Sequence, residues 1–576
     1  MKKAISIGIQ GFSDLREQDC FFVDKTNFIK EWWEKRDVVT LITRPRRFGK
    51  TLNMSMLDCF FSNKYANRAD LFEGLSIWQD ETYRKLQGTY PVIFLSFAAV
   101  KAGNLEDAKT QIKQEITRLY WENRNLMKED IFGEDERELY YRTTVKMDDV
   151  TAQDSLRNLS VWMERYYGKK VIILLDEYDT PMQEAYVQGY WDEFTSFVRS
   201  LFNASFKTNP YLERAIMTGI TRVSKESIFS DLNNLRVVTT TSNLYADCFG
   251  FTEEEVFAAL DEYGMGDKKD VVKQWYDGFI FGGHRSEERR VGKEWSITNY
   301  LDEHRLYPYW ASTSSNGLVS RLIRTASADV KEKMEDLLRG QAITVNFDEQ
   351  IVYNQLDDNE EAIWSLLLAS GYLKVQNIDY RGITLEPWYT LDITNIETLS
   401  MFMTMFRGWF KNKDANYNDF VKALLKGSLK EMNIYMNDVA LATFSSFDTG
   451  KKPSEKSQPE RFYHGFVLGL LVELRDRYQI RSNRESGYGR YDVMLTPVTE
   501  VDDAIVIEFK VHEPDEEESL QDTVRTALDQ ITEKNYDAEL LLQGIPADRI
   551  RHYGFAFEGK KVLIGQDEIQ NVAVRR

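Results

Sequence analysis

Two groups of residues in this 576-residue chain could do chemistry by type and spacing. The first is Thr43-Arg44-Pro45-Arg46-Arg47-Phe48-Gly49-Lys50-Thr51. It follows an apolar run and opens a helical pattern, the setting in which backbone amides and a helix N-terminus cradle phosphate. Arg46, Arg47, Phe48 and Gly49 are expected to bind the nucleotide as part of the loop, Lys50 reaches the β- and γ-phosphates, and the Thr51 hydroxyl holds Mg²⁺. Arg44 occupies a slot where such loops usually carry glycine. A basic surface turn ahead of a helix would have the same composition. Further along, Val171–Leu175 runs directly into Asp176-Glu177-Tyr178-Asp179. Carboxylates at the C-terminal end of a buried strand face the ligand crevice of an α/β sheet. Asp176 suits Mg²⁺ held through water, and Glu177 suits polarising an attacking water. Asp179 reads as a solvated or capping carboxylate. After the next strand, Thr218 is placed to sense a γ-phosphate and Arg222 to neutralise transition-state charge. A strand-end turn with a surface arginine is the plainer reading.

The second group is Asp492, in Arg490-Tyr491-Asp492-Val493, with Glu508-Phe509-Lys510 sixteen residues beyond Asp492. Alternation along a strand puts Glu508 and Lys510 on one face. Asp492 on a neighbouring strand joins them. Two carboxylates offer hard oxygen ligands to a divalent cation, Mg²⁺ or Mn²⁺, which lowers the pKa of a bound water. Lys510 orients or deprotonates that water. Glu460 and His464 fall at i, i+4 on one helix face. Glu460 completes the metal site, or the two form a helix-face link. Gln530 lies in a segment that resembles the helix after the core strands of PD-(D/E)XK nucleases, and the resemblance implies it as a further candidate. Arg481–Arg490 provides a local basic patch with an aromatic and glycines, suited to a phosphate backbone.

The elements that must position these groups are legible as pattern. Buried strands are expected at Val38–Ile42, Pro91–Phe97, Val171–Leu175 and Arg214–Gly219. Helical stretches such as Leu105–Tyr120 and Asp192–Asn203 lie between them. Strands alternating with helices predict a doubly wound, mostly parallel sheet. Thr252-Glu253-Glu254-Glu255 has the form of a capping box opening a helical region. Strand patterns return after about residue 480, and a helix is expected near Leu520–Lys534.

Composition bounds the rest. The length suggests three to four domains at roughly 150 residues each. A hydrophobic share of 43% and short apolar runs give no expectation of a membrane span, and the N-terminus does not read as a signal peptide. Cys20, Cys59 and Cys248 fit no metal spacing and read as buried thiols of a reducing cytoplasm. A net charge of -19 opposes bulk attraction to nucleic acid, so any such contact must be local.

Phe22-Val23-Asp24-Lys25-Thr26, Arg44–Thr51, Leu175–Asp179 and Phe229-Ser230-Asp231-Leu232-Asn233-Asn234-Leu235 together resemble the bacterial AAA-ATPase-like family. In that family an N-terminal ATPase domain is joined to a C-terminal PD-(D/E)XK nuclease-like domain. The resemblance implies an α/β protein with an N-terminal P-loop, doubly wound parallel-sheet ATPase and helical lid. A C-terminal α/β restriction-endonuclease-like domain follows. The implied divisions are 1–250 for the ATPase core, 251–345 for the lid, 346–429 for a connecting region and 430–576 for the nuclease-like domain. ATP and Mg²⁺ are the implied cofactors, with Mn²⁺ an alternative at the nuclease site. Nucleic acid is the implied partner, with no membrane and with room for an oligomer. The other class of reading is a nucleotide-gated interaction or signalling module whose nuclease-like fold does not cut. One stretch departs from the family. Arg285–Glu294 stands where relatives carry a short Asn-Pro-Trp turn, and it resembles the translation of a sequencing adapter.

Overall fold

The structure is a computed structural model. It describes the chain apart from residues 1, 129–130, 222–227, 230–231, 283–289, 311–316, 339, 349–352, 354–355, 357–358, 410–417, 444–466, 468–469, 472–473, 475–476, 487–488, 500–501, 515–516, 559–560 and 568–576. The chain divides into two units. One comprises Met1–Val319 and Gly340–Ser400, the other Ser320–Arg339 and Met401–Arg576.

The first unit is organised around five parallel strands: β1 (Val39–Thr43), β2 (Val92–Ser96), β3 (Val171–Asp176), β4 (Leu212–Gly219) and β5 (Leu235–Val238). Their order across the sheet is β2-β3-β4-β1-β5, every pairing parallel. All of β1 and β3 is buried, as expected of strands covered on both faces by helices. The sequence pattern anticipated β1 to β4 within a residue or two at most ends. It did not single out Leu235–Val238, whose half-buried edge position leaves no continuous apolar run.

Helices α1 (Lys50–Phe61), α2 (Leu105–Glu122), α3 (Asp149–Tyr167), α4 (Thr180–Gln188) and α5 (Trp191–Phe202) fill the crossovers. Their starts follow local chemistry. Asn104 and Asp148 accept from the backbone N–H groups of Asp107 and Thr151. Pro181 stands in the first turn of α4, where a missing N–H costs nothing. Beyond the sheet, α6 (Glu253–Glu262) opens with the full capping box between Thr252 and Glu255. Helix α7 (Glu294–Glu303) follows a short strand at Arg290–Gly292. A three-stranded antiparallel sheet follows, of β6 (Ile343–Asn346), β7 (Leu373–Arg381) and β8 (Glu386–Ile393).

The second unit is built on a mixed sheet of β9 (Tyr478–Ser486), β10 (Gly489–Pro497), β11 (Ala504–Val511), β12 (Ile550–Glu558) and β13 (Lys561–Gln566), in chain order. Only β11 and β12 run parallel, joined by a crossover that contains α8 (Leu520–Glu533) and the short α9 (Ala538–Leu542). The apolar side chains of β10 to β13 divide between two cores. Val493, Ile505, Ile507, Phe509 and Phe555 enter one, while Tyr491, Met494, Val506 and Ala556 enter the other with α8. This two-sided burial explains the unbroken apolar Ala504–Ile507 run.

Candidate functional site

The loop after β1 sits at the C-terminal edge of the parallel sheet. Gly49 takes φ +70° and Arg47 φ +67°, the left-handed region, so the chain coils tightly before α1 begins at Lys50. The Lys50 ammonium is 6% exposed and donates to the carbonyl oxygens of Arg44 (3.0 Å) and Pro45 (2.9 Å), closing the loop on itself. Burial lowers its pKa, against the opposing pull of Glu177, Asp176 and Asp179.

Arg44, the departure from the usual glycine, does not face the loop's interior. Its side chain is fully buried and donates to the carbonyls of Thr43, Thr239, Leu244 and Tyr245. The guanidinium also lies 4.7 Å from the Phe281 ring centroid. Burial lowers its pKa to about 10, so it stays charged. An arginine therefore does structurally what the missing glycine leaves undone: it ties the start of the loop to the 239–245 segment. Phe48 is likewise a core residue, packed edge-on against Phe279 and Phe281.

Strand order decides how the acidic pair meets the loop. β4 lies between β1 and β3, yet the Asp176 carboxylate at the end of β3 spans this gap. It accepts from the Thr51 hydroxyl at 2.7 Å and from the Thr218 hydroxyl, on β4, at 2.5 Å. Asp176 is fully buried, and desolvation raises its pKa while the two hydroxyls lower it. Glu177 turns out of the strand at φ +51° and accepts from Thr180 at 3.0 Å. Thr180 carried no signal in the sequence; only the turn into α4 brings it to Glu177. Arg46 donates to Gln183 (3.3 Å), and the Arg47 guanidinium lies 4.2 Å from the Trp295 ring centroid. A cavity of about 400 Å³ adjoins Gly49, Lys50, Thr51 and Glu177 and reaches Trp295 and the Ser6–Gln10 segment. That volume lies within the usual range of small-molecule sites.

One expectation is corrected, one arginine of the expected basic patch is already paired, and three expected site residues fall outside the described ones. Asp179 is neither solvated nor a side-chain cap: it is 4% exposed, and its Oδ2 accepts from the Ile220 N–H, the Thr221 N–H and the Thr221 hydroxyl at 2.8–2.9 Å. Arg481, part of the expected basic patch, is paired with Glu539 and also donates to Gln479, so its charge is already matched. Arg222, Glu460 and His464 lie outside the described residues. Of the Arg285–Glu294 stretch, Arg290–Glu294 is described. Lys293 is fully buried among Phe48, Phe279 and Trp310, and its ammonium has no hydrogen-bond partner among the described residues. The Glu294 carboxylate lies against Gly49, where burial pushes its pKa up to about 7.

In the second unit, β10 and β11 pair antiparallel with Val493 opposite Ile507, which sets Asp492 beside Glu508. Asp492 Oδ2 accepts from the Phe509 N–H at 2.8 Å. Glu508 is 2% exposed, and the Lys510 ammonium lies 3.5 Å from its Oε1. Gln530, on α8, donates to Glu508 and to the Tyr536 hydroxyl, bringing the helix onto the two-strand cluster. Tyr536 was not anticipated, since nothing about a tyrosine at a helix end signals a carboxylate neighbour. Among the described residues no group of three or more His, Cys, Asp or Glu side chains could hold a metal ion. The two carboxylates on adjacent strands are nonetheless hard oxygen donors of the kind Mg²⁺ and Mn²⁺ take.

With both centres in view, comparison with known proteins is informative. Residues 6–229 match the family described as predicted AAA-ATPase, and residues 458–567 match the PD-(D/E)XK nuclease superfamily. The chain joins an AAA-ATPase-like domain to a PD-(D/E)XK nuclease superfamily domain. The first match ends between β4 and β5, and the second spans all five strands of the mixed sheet. A protein of Azotobacter chroococcum mcd 1, described as an uncharacterized protein in the vnfD 5′ region, is 25% identical over 398 residues. The alignment covers 69% of this chain and 68% of that protein. No described helix is long and apolar enough to cross a membrane.

Proposed function

We propose that the first unit binds and hydrolyses ATP and that the second cleaves nucleic acid with a divalent metal. The observation that carries the ATP reading is the Thr51–Asp176–Thr218 bridge beside the buried Lys50. It gathers a cation, a hydroxyl from the helix start and a carboxylate at one edge of the sheet. Lys50 and the N-terminal amides of α1 would hold the phosphates, with Arg46 and Arg47 beside them. Thr51 and Asp176 would hold Mg²⁺, which supplies charge neutralisation on the phosphate oxygens. Glu177 would orient the attacking water, and Thr218, bonded to Asp176, would register the terminal phosphate. In the second unit Asp492 and Glu508 would hold Mg²⁺ or Mn²⁺, which lowers the pKa of a bound water. Lys510 would orient or deprotonate that water. Glu460 is proposed as a further ligand, and Arg484 and Arg490 as phosphate contacts. The proposed setting is the cytoplasm.

The alternative, a nucleotide-gated module that does not cut, draws support from the pairing of Arg481 with Glu539 and from the net charge of -19. One comparison separates the readings: cleavage of DNA and RNA with Mg²⁺ or Mn²⁺, with and without ATP. Calorimetry with MgATP tests the first centre. Lys50→Ala abolishes binding if the loop holds phosphate, and unchanged affinity overturns that assignment.

A further inference from the structure

Asp179 and Tyr353 lie outside the proposed roles, yet both are buried beside the end of β4. Asp179 Oδ2 collects three donors from Ile220 and Thr221. The Thr221 hydroxyl has one proton and gives it to Asp179, so the Tyr353 hydroxyl, 3.0 Å away, donates to Thr221. The result is a directed chain, Tyr353 to Thr221 to Asp179. Tyr353 is wedged between Tyr186 of α4 and Trp191 of α5, each ring centroid 5.6 Å from its own. Tyr178 holds the same turn from another side: its N–H donates to the Thr218 carbonyl and its hydroxyl to the Thr221 carbonyl. The fit is close. A methyl group on Gly219 would stand 2.6 Å from Asp179 Oδ1 and 2.7 Å from the Tyr178 ring.

We propose that Asp179, Thr221 and Tyr353 form a positioning relay that holds the Thr218–Thr221 turn in its hydrolysis-competent place. The inference rests on the ATP reading above. Thr218 touches Asp176, and Asp176 touches Thr51, so the turn's position sets where those two hydroxyls stand. The relay carries the register from the connecting region, through Tyr353, to the strand end. None of the three residues touches the reacting atoms. Their loss therefore acts on turnover more than on nucleotide binding, because the loop after β1 supplies most of the phosphate contacts and this turn only the Thr218 hydroxyl.

The test is steady-state ATP hydrolysis by the full chain, with unfolding midpoints measured for each variant. Thr221→Val keeps the shape and removes the hydroxyl; kcat falls about tenfold while the KM for ATP moves less than about twofold. Thr221→Ser, which restores the hydroxyl, brings kcat back to within about threefold of wild type. Tyr353→Phe deletes one oxygen at the far end and lowers kcat by about threefold. Added to Thr221→Val it lowers kcat no further, since the chain is already cut. Wild-type kcat in Thr221→Val, or losses that multiply in the double variant, overturns the relay. A loss in Thr221→Val that Thr221→Ser does not recover also overturns it. Lys50→Ala separates the two levels. If that variant hydrolyses ATP like wild type, the ATP reading itself fails. If it is inactive while Thr221→Val and Tyr353→Phe keep full kcat, the reading stands and the relay falls.

Discussion

Glu294→Gln tests how the ATP-site loop is electrostatically set. The Glu294 carboxylate presses on Gly49, has no hydrogen-bond partner among the described residues, and has its pKa raised by burial from 4.5 to about 7. A shift of that size is worth at most about 3 kcal/mol, at about 1.4 kcal/mol per unit, and about 2 kcal/mol for a side chain that is partly exposed at the cavity. The sign follows from proton binding. The folded state holds the Glu294 proton more tightly than the unfolded state, so the stability is whole below pH 4.5. It is lost as pH rises through about 7 and stays lost above. Glutamine carries no charge at any pH, but burying its unpaired amide costs about 1 kcal/mol. The variant is therefore about equal to wild type or slightly weaker at pH 5, and more stable by about 1 kcal/mol at pH 8. The same charge faces the space where phosphate would sit. Wild-type MgATP affinity then falls as pH rises through about 7, and Glu294→Gln flattens that fall, binding about tenfold tighter at pH 8. Urea unfolding followed by tryptophan fluorescence and calorimetry with MgATP, each at pH 5 and pH 8, measure both effects. A Gln-minus-wild-type difference independent of pH in both assays refutes the reasoning.

Other outcomes follow from the same geometry. Glu177→Gln keeps MgATP binding and slows hydrolysis by roughly 10²–10⁴-fold, read as kcat against Kd; parallel loss of both would place Glu177 in binding instead. Asp492→Ala and Glu508→Ala lose Mn²⁺ binding and cleavage together, whereas Lys510→Ala keeps the metal and loses rate; metal titration of the full chain with nucleic acid present distinguishes these from a plain Glu508–Lys510 ion pair. Burial disfavours charged His552, but hydrogen bonds with Asp537 and Asp567 raise its pKa from 6.5 to about 9. That stability is full below pH 6.5 and is lost as pH rises through about 9. The stability of the second unit against denaturation should fall by up to about 3 kcal/mol across that window, less because Asp567 is half-exposed, and His552→Gln should remove the slope. Lys293→Met removes a buried ammonium that has no hydrogen-bond partner among the described residues, leaves the paired Arg290–Gly292 strand in place, and raises stability by about 1–2 kcal/mol, measured by thermal or urea unfolding. Sequencing the source locus tests the origin of the Arg285–Glu294 stretch directly.

The local sequence determined those features whose physics is local. Predominantly apolar strands bounded by helical patterns specified a covered parallel sheet, because burial on both faces leaves no polar alternation to misread. The Gly49-Lys50-Thr51 and Asp176-Glu177 groups were legible because a strand end, a turn and a helix start are contiguous in the chain. The Thr252–Glu255 capping box and the facing of Glu508 and Lys510 follow from helix and strand periods alone. Tertiary structure decided what depends on partners far along the chain. Arg44 is a clamp because the Thr239–Tyr245 carbonyls surround it, about two hundred residues away. Asp179 is buried, not solvated, because β4 ends beside it and supplies three donors. Thr180, Gln530 and Tyr536 reach carboxylates only once turns and crossovers close. Residue type and spacing fix which groups could act, but the desolvation and donor supply that set a carboxylate's role arise only where distant segments pack.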